Sequence, residues 1–325
     1  MFDFIAEGPL LLAVVCLIIG FIFLVKGADM FVEGSSSIAR KFHVPSIIIG
    51  LTIVAIGTSL PEAAVSVTAS ITNNNALAIS NVVGSNIFNL MVVIGMCAAF
   101  TPVMVQKDVL RRDLPFSVLC ALMLLALGSA GGMSLGRGDG VILLLFYIAF
   151  MALMIATALK ARRTGNEAVS EADEMKIMPV PKSLLFIVIG AAGIAVGGDV
   201  VVKSAVNIAT AFGMSQTLVG LTIVALGTSL PELVTSFVAA RKKEVDMALG
   251  NAIGSNIANI LMILGIASSI SPIPFHTEDL VDICVLLVFS LIVWVFAWTK
   301  RRIERGEGLT MIFLYVVYIV YACIR

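Results

Sequence analysis

Glu62 and Glu232 both fall in the middle of long apolar runs, and no lysine or arginine lies at matching depth to neutralise them. A charge at the centre of a membrane helix costs about 2.5 to 3.5 kcal/mol on insertion scales, so two glutamates, taken as similar, cost roughly 5 to 7 kcal/mol. A bound cation would offset that cost. The neighbouring residues suit one. Pro61 and Pro231 directly precede the carboxylates. Each lacks an N–H and clashes with the carbonyl four residues back, at Gly57 or Gly227, so each breaks its helix. Carbonyls freed at such a break are tolerated in a membrane where they line a cavity or hold an ion. Thr58 and Ser59 precede Glu62 by four and three residues, and Thr228 and Ser229 precede Glu232 in the same way. That spacing predicts hydroxyls on the same helical face as their own glutamate.

In the run that follows, Asn81, Ser85 and Asn89 are spaced by four, and Asn251, Ser255 and Asn259 repeat the pattern. Each set makes one polar stripe along an apolar helix. A single stripe would serve equally well as glue between helices. Two stripes, each behind a broken helix with a glutamate, point to ion ligation. Carboxylate, hydroxyl, amide and backbone carbonyl are hard oxygen donors, suited to calcium, which takes six to eight oxygens in flexible geometry. Sodium fits the same groups, whereas zinc and copper call for softer ligands. Cys16, Cys97, Cys120, Cys284 and Cys323 lie in or near apolar runs without metal-ligand spacing, and His43 and His276 stand alone near run ends. All seven read as packing or surface residues.

The two constellations are copies. GLTIVAIGTSLPE at 50–62 and GLTIVALGTSLPE at 220–232 differ at one position, and the GSNI segments at 84–87 and 254–257 keep the same offset of 170. Gly27 and Asp29 match Gly197 and Asp199, Asn81 matches Asn251, and Pro102 matches Pro272. Asp29 and Asp199 could steer ions toward an entrance, but capping or local pairing, as of Asp29 with Lys26, is the preferred reading. The small residues Gly34 to Ser37 suit either a sliding contact or close packing.

The elements that must hold these residues are apolar helices. With 59% apolar and 13% charged residues, the chain is far from the roughly 25% charged composition of soluble domains. Ten apolar runs stand near 8–25, 46–70, 76–99, 114–131, 138–159, 183–202, 216–239, 246–270, 279–298 and 308–324, each close to the roughly 20 residues of a membrane span. Continuous apolar runs exclude a barrel, whose strands would alternate. The first run lacks a basic flank and a cleavage site and reads as a retained helix. Five runs per copy is an odd number, so the second copy enters the membrane from the opposite side. The expectation is an all-α integral membrane protein of ten transmembrane helices in two inverted five-helix repeats, 1–159 and 183–325, joined by a polar linker at 160–182. Assigned to alternate loops, eighteen lysines and arginines fall on one side and three on the other. The positive-inside rule then puts the linker in the cytoplasm and both termini outside.

Paired GTSLPE and GSNI segments at this spacing resemble the alpha repeats of the calcium/cation antiporter superfamily, in its bacterial calcium/sodium antiporter branch. The resemblance covers nearly the whole chain. It implies that the second, third, seventh and eighth helices enclose the site and that long, tilted first and sixth helices slide across it. It also implies a ligand set of the Ala55 carbonyl, Thr58, Ser59, Glu62, Ser85 and Asn89, with Ala225, Thr228, Ser229, Glu232, Ser255 and Asn259. Some relatives carry aspartate where this chain has Asn259, so a third acidic group is not carried over. The implied activity is exchange of calcium for sodium by alternating access in a bacterial cytoplasmic (inner) membrane. No cofactor, nucleic acid or obligatory protein partner is implied; the partners are the ions and membrane lipid.

The rival readings are calcium exchange against protons, with the glutamates as proton carriers, and potassium-dependent sodium/calcium exchange. A channel would be expected to build ligand rings by oligomeric symmetry. Enzymatic chemistry is disfavoured because Ser59 has no nearby base.

Overall fold

The structure, a computed structural model, describes residues 3–6, 8–130, 132–164, 177–214 and 225–324. Residues 165–176 of the expected linker and 216–224 of the run at 216–239 lie outside the described residues.

Helix α1 spans Leu10–Lys41, well past the apolar run expected at 8–25. Its second half carries Lys26, Asp29, Glu33 and Ser35 to Ser37. Polarity does not end a helix when the polar groups find partners, and the buried Ser36 and Ser37 find theirs in Glu244, Met178 and Ser183. Arg40 and Lys41 occupy its last turn, where cations favour the negative end of the helix dipole. Pro45 then precedes α2, Ser46–Thr58, which is bent by 50° from α3, Leu60–Ile71. Helix α4 is Asn75–Phe100. A π-helical turn at Val109–Asp113 leads into α5, Leu114–Ala130, and α6 is Arg137–Thr164.

The second half opens with α7, Val180–Ala211, which is again longer than the expected 183–202 and preceded by Pro179. A short turn, Ala225–Gly227, leads to α8, Leu230–Arg241. Helices α9, Val245–Ile270, α10, Thr277–Lys300, and α11, Arg305–Ile324, complete the chain. Proline at a helix start is accommodated because the first N–H groups have no intrahelical partner. Seven helices among the described residues are long and apolar enough to cross a membrane, and the bent pair α2 and α3 makes an eighth. Of the remaining expected spans, α5 has 17 residues, short of the roughly 20 needed, and the run at 216–239 is described only in its second half.

Helices α1 and α7 pack along one another in opposite directions: Gly20 meets Val200 and Val201, Gly27 meets Gly190 and Ile194, and Gly34 meets Ser183. The backbones approach so closely that a Cβ on Gly27 would sit 2.7 Å from the Ile194 nitrogen, and one on Gly197 2.5 Å from the Leu24 nitrogen. Real Cβ atoms cannot come that close to backbone, so this seam requires glycine. Deeper in, α9 is buried between α2, α4 and α8. The outer helices cross over between halves, α11 packing on α4, α6 on α9 and α10 on α5. Two short strand pairs tie this exchange. Strand β1, Val103–Met104, pairs antiparallel with β4, Arg302–Ile303, and β2, Ser134–Leu135, with β3, Ile273–Pro274. Apolar runs in the sequence carry no hint of them, because two residues per strand leave no pattern.

Candidate ion site

The helix break falls at Ser59, three residues before Glu62. Ser59 has φ −83° and ψ 7°, outside the helical range, and Pro61 follows in the first turn of α3. Ser229 and Pro231 repeat this at the start of α8. Each break sets its glutamate, Glu62 or Glu232, in the first turn of a new helix, where the positive end of the helix dipole favours a carboxylate. Both glutamates are fully buried.

The hydroxyls do not turn to the glutamate of their own helix, whose face the spacing predicts them to share, although Thr58 Oγ1 also meets the Val54 carbonyl at 3.1 Å. They cross between the halves. Ser59 Oγ donates to Glu232 Oε1 at 2.9 Å, and Ser229 Oγ donates to Glu62 Oε1 at 3.1 Å. Thr58 Oγ1 donates to Asn251 Oδ1 at 3.0 Å, and Thr228 Oγ1 to Asn81 Oδ1 at 3.3 Å. The break turns α3 away by 50°, so residues that would share a face on a straight helix point to different partners. Equivalent residues of the two sequence copies thus make the same contact in exchange.

The polar stripes of α4 and α9 divide into two jobs. Asn81 Nδ2 donates to Ser66 Oγ and to the Glu62 carbonyl, and Asn251 Nδ2 donates to Ser236 Oγ and to the Glu232 carbonyl. These asparagines brace the carboxylate helices. Ser255 Oγ lies 3.4 Å from Glu232 Oε1, and Ser85 sits beside Glu62. At Asn89 and Asn259 the helices widen into π-helical turns, Asn89–Val93 and Asn259–Ile263. Such turns are rare and concentrate at functional sites. Asn86 and Asn256 lie between the stripes, and each Nδ2 donates to the other's backbone carbonyl at 3.1 Å. The stripe spacing gives no sign of this brace, although both asparagines stand in the repeated GSNI segments.

Several buried acceptors remain without a hydrogen-bond donor among the described residues: Glu62 Oε2, Glu232 Oε2, Asn89 Oδ1 and Asn259 Oδ1. Leaving a buried polar group unpaired costs about 1 to 3 kcal/mol, so a cluster of oxygens in this state fits a cation that would take them as ligands. Among the described residues no group of three or more His, Cys, Asp or Glu side chains converges, and the donor set stays hard. The Ala55 carbonyl accepts the Ser59 N–H at 3.0 Å, with Thr58 Oγ1 3.4 Å away. Ala225 is the first residue of the segment described from 225 onward, so its expected role is traced only as far as its place in the Ala225–Gly227 turn.

Asp29 and Asp199 stay outside this centre. Asp29 meets Lys242 of the other half, at 3.4 Å, instead of Lys26 of its own helix. Glu33 joins it at 3.9 Å. Asp199 pairs with Lys203 at 3.0 Å, one turn along α7. Ser37 hydrogen-bonds Met178 and Ser183, and Ser36 donates to the buried Glu244, which also pairs with Arg40 at 2.9 Å. His43 takes the left-handed conformation just past α1, with φ 54°, and His276 precedes α10, its N–H donating to Asp279.

The sequence pattern of the family described as sodium/calcium exchanger protein matches residues 12–156 and 182–324. The sodium/calcium exchanger MaX1 of Methanosarcina acetivorans is 33% identical over 94% of this chain and 96% of its own. Inner membrane protein YrbG of Escherichia coli is 35% identical over 92% of both chains. A solved structure of the sodium-calcium exchanger NCX_Mj, soaked with Na+ and Sr2+, superposes with a TM-score of 0.83 at 34% identity, covering 96% of this chain and 99% of that one.

Proposed function

The chain belongs to the sodium/calcium exchanger protein family, and from that premise we propose that it is a secondary antiporter exchanging calcium for sodium at a site centred on Glu62 and Glu232. One observation carries this reading: the two carboxylates are each held by a hydroxyl from the opposite half, and each keeps a second oxygen without a donor. Two carboxylates balance one divalent cation. The serine, threonine and asparagine oxygens around them complete a hard ligand set that sodium can also use. Because each half contributes to the other's carboxylate, an ion bound there couples the two halves directly.

The inverted arrangement is part of the proposal. It is supported by the opposite directions of α1 and α7, which are repeat equivalents, and by the reciprocal contacts at the centre. If both helices span the bilayer, the site falls near its midplane and the halves face opposite sides, the layout of alternating access. The positive-charge partition places both termini outside a cytoplasmic membrane. Thr58, Ser59, Ser85, Asn89 and the Ala55 carbonyl, with Thr228, Ser229, Ser255, Asn259 and Ala225, are the proposed ligands beside the two glutamates.

The test is flux of radioactive calcium in proteoliposomes under imposed sodium, potassium or proton gradients, each applied alone. Saturable calcium uptake driven by an opposed sodium gradient is the expected result. Uptake driven by protons but not by sodium would replace sodium coupling with proton coupling. Flux that needs no ion on the opposite side would make the protein a channel.

A further inference from the structure

We infer that the end of the molecule bearing the β1–β4 pair holds a binding site for an anionic phospholipid, its phosphate among Lys107, Arg111 and Arg301 and its acyl chain along α5 and α6. The inference rests on the chain spanning a membrane and not on which ions it exchanges.

Two cavities sharing Arg111 make the case. The first, of about 200 Å³, is lined by Lys107, Leu110, Arg111, Trp298 and Arg301. Its three cations come from both halves of the chain, brought together where the Val105 N–H bonds the Arg301 carbonyl at 2.8 Å. Lys300 and Arg302, the neighbours of Arg301, are engaged by Glu304 at 3.0 and 2.8 Å. Hydrogen bonds from these two residues hold the Glu304 carboxyl below the usual carboxylate range. Lys107, Arg111 and Arg301 have no ion-pair partner among the described residues. Asp108, the neighbouring acid, acts on Arg112 and Asp113. Trp298 forms a wall of the cavity and stacks edge-on to Trp294, whose indole N–H donates to the Leu110 carbonyl at 3.0 Å. Indole rings favour the headgroup level of a bilayer, and three unpaired cations beside one form a receptor for a phosphodiester.

The second cavity, of about 290 Å³, shares Arg111 with the first and runs past Arg112, which is ion-paired with the buried Asp113 at 2.7 Å, along Pro115, Phe116, Leu119, Phe150 and Leu153. A free anion would fill the first cavity and leave this groove uncovered. An amphiphile fills both, so the arrangement selects phospholipid.

The other end of the molecule supplies a control. At the offset of 170, Lys107 and Arg111 become Thr277 and Val281. The corresponding groove between α10 and α11, of about 520 Å³, is lined by Thr277, Val281, Phe289 and Tyr318 without a cation. Glu278, Asp279 and Asp282 stand beside it on α10. The same scaffold there accepts an acyl chain but repels an anionic head.

Native mass spectrometry of the full chain, purified in detergent and exposed to equal phosphatidylglycerol and phosphatidylcholine, tests the site. Wild type should retain phosphatidylglycerol preferentially, by about tenfold or more for three surface cations. Lys107→Gln/Arg111→Gln/Arg301→Gln should lose the preference while its melting temperature stays that of wild type. If the triple variant fails to fold, Arg111→Gln alone should reduce the preference by about fivefold. Equal retention of the two lipids by wild type, or an unchanged preference in the folded variants, would overturn the proposal. Millimolar inorganic phosphate should leave the lipid in place, and displacement by it would show a free-anion site instead.

Discussion

Around Glu62 and Glu232 the serine and threonine contacts that one half makes to the other are each returned, whereas the repeat equivalents Asp29 and Asp199 keep different company. Asp29 and Glu33 are bridged by Lys242 across the halves, and nearby Arg40 and Ser36 hold the buried Glu244. Asp199 is held by Lys203 on its own helix, one turn away. The positions of Lys242 and Glu244 are filled in the first half by Thr72 and Asn74. Under the proposed alternating access an ion would meet the same centre from either side, which favours a symmetric centre and leaves the two ends free to differ. Any displacement of α1 against the loop between α8 and α9 must break inter-element ion pairs, while the Asp199 pair would travel with α7.

The largest effect should follow from breaking the symmetric centre. Glu62→Gln and Glu232→Gln each keep the shape and the crossed serine contact but remove half the charge available to a divalent ion. Each should cut calcium binding by about a hundredfold or more, the order of the 2 to 5 kcal/mol carried by a desolvated charge pair, and the two losses should be equal. Equilibrium calcium binding on protein that still inserts is the measurement; wild-type affinity in either variant would remove that carboxylate from the site.

A smaller effect is expected at the glycine seam. Gly27→Val and Gly197→Val place side-chain atoms against backbone on the partner helix, a clash of the overpacking kind that costs about 1 to 3 kcal/mol. Both variants should lower the thermal midpoint in detergent by similar amounts. A drop for one and not the other would show that the seam is less symmetric than its spacing.

At the ends the comparison predicts a difference. Glu244→Gln leaves Arg40, 17% exposed, facing a neutral partner, and should cost about 1 to 3 kcal/mol as a charge-assisted hydrogen bond lost. Asp199→Asn removes a half-exposed pair within one helix, worth about 0.5 kcal/mol or less. Equal changes in unfolding midpoint for the two would erase the distinction between the ends.

Much of the centre is legible in the sequence. An offset of 170 names equivalent residues, and a glutamate directly behind a proline in an apolar run marks a broken helix with a charge to neutralise. Periodicity cannot say that Ser59 serves Glu232 instead of Glu62, because helical spacing describes a straight helix and the bend lies between the two residues. The π turns at Asn89 and Asn259 are equally hidden, since a one-residue widening leaves composition unchanged. The full length of α1 escapes for a different reason. Apolar runs report contact with lipid, and its second half, with Ser35 to Ser37, is buried by protein.

The exchanged strand pairs bear on how the chain is made. Val103 in β1 has to wait for Ile303 in β4, about 200 positions later, which at roughly 5 to 20 residues per second is on the order of 10 to 40 s of synthesis. During that interval α4 lacks α11 and α5 lacks α10, with buried asparagines and a carboxylate already in place. The polar faces of the first half therefore leave the ribosome well before the elements that cover them in the finished fold.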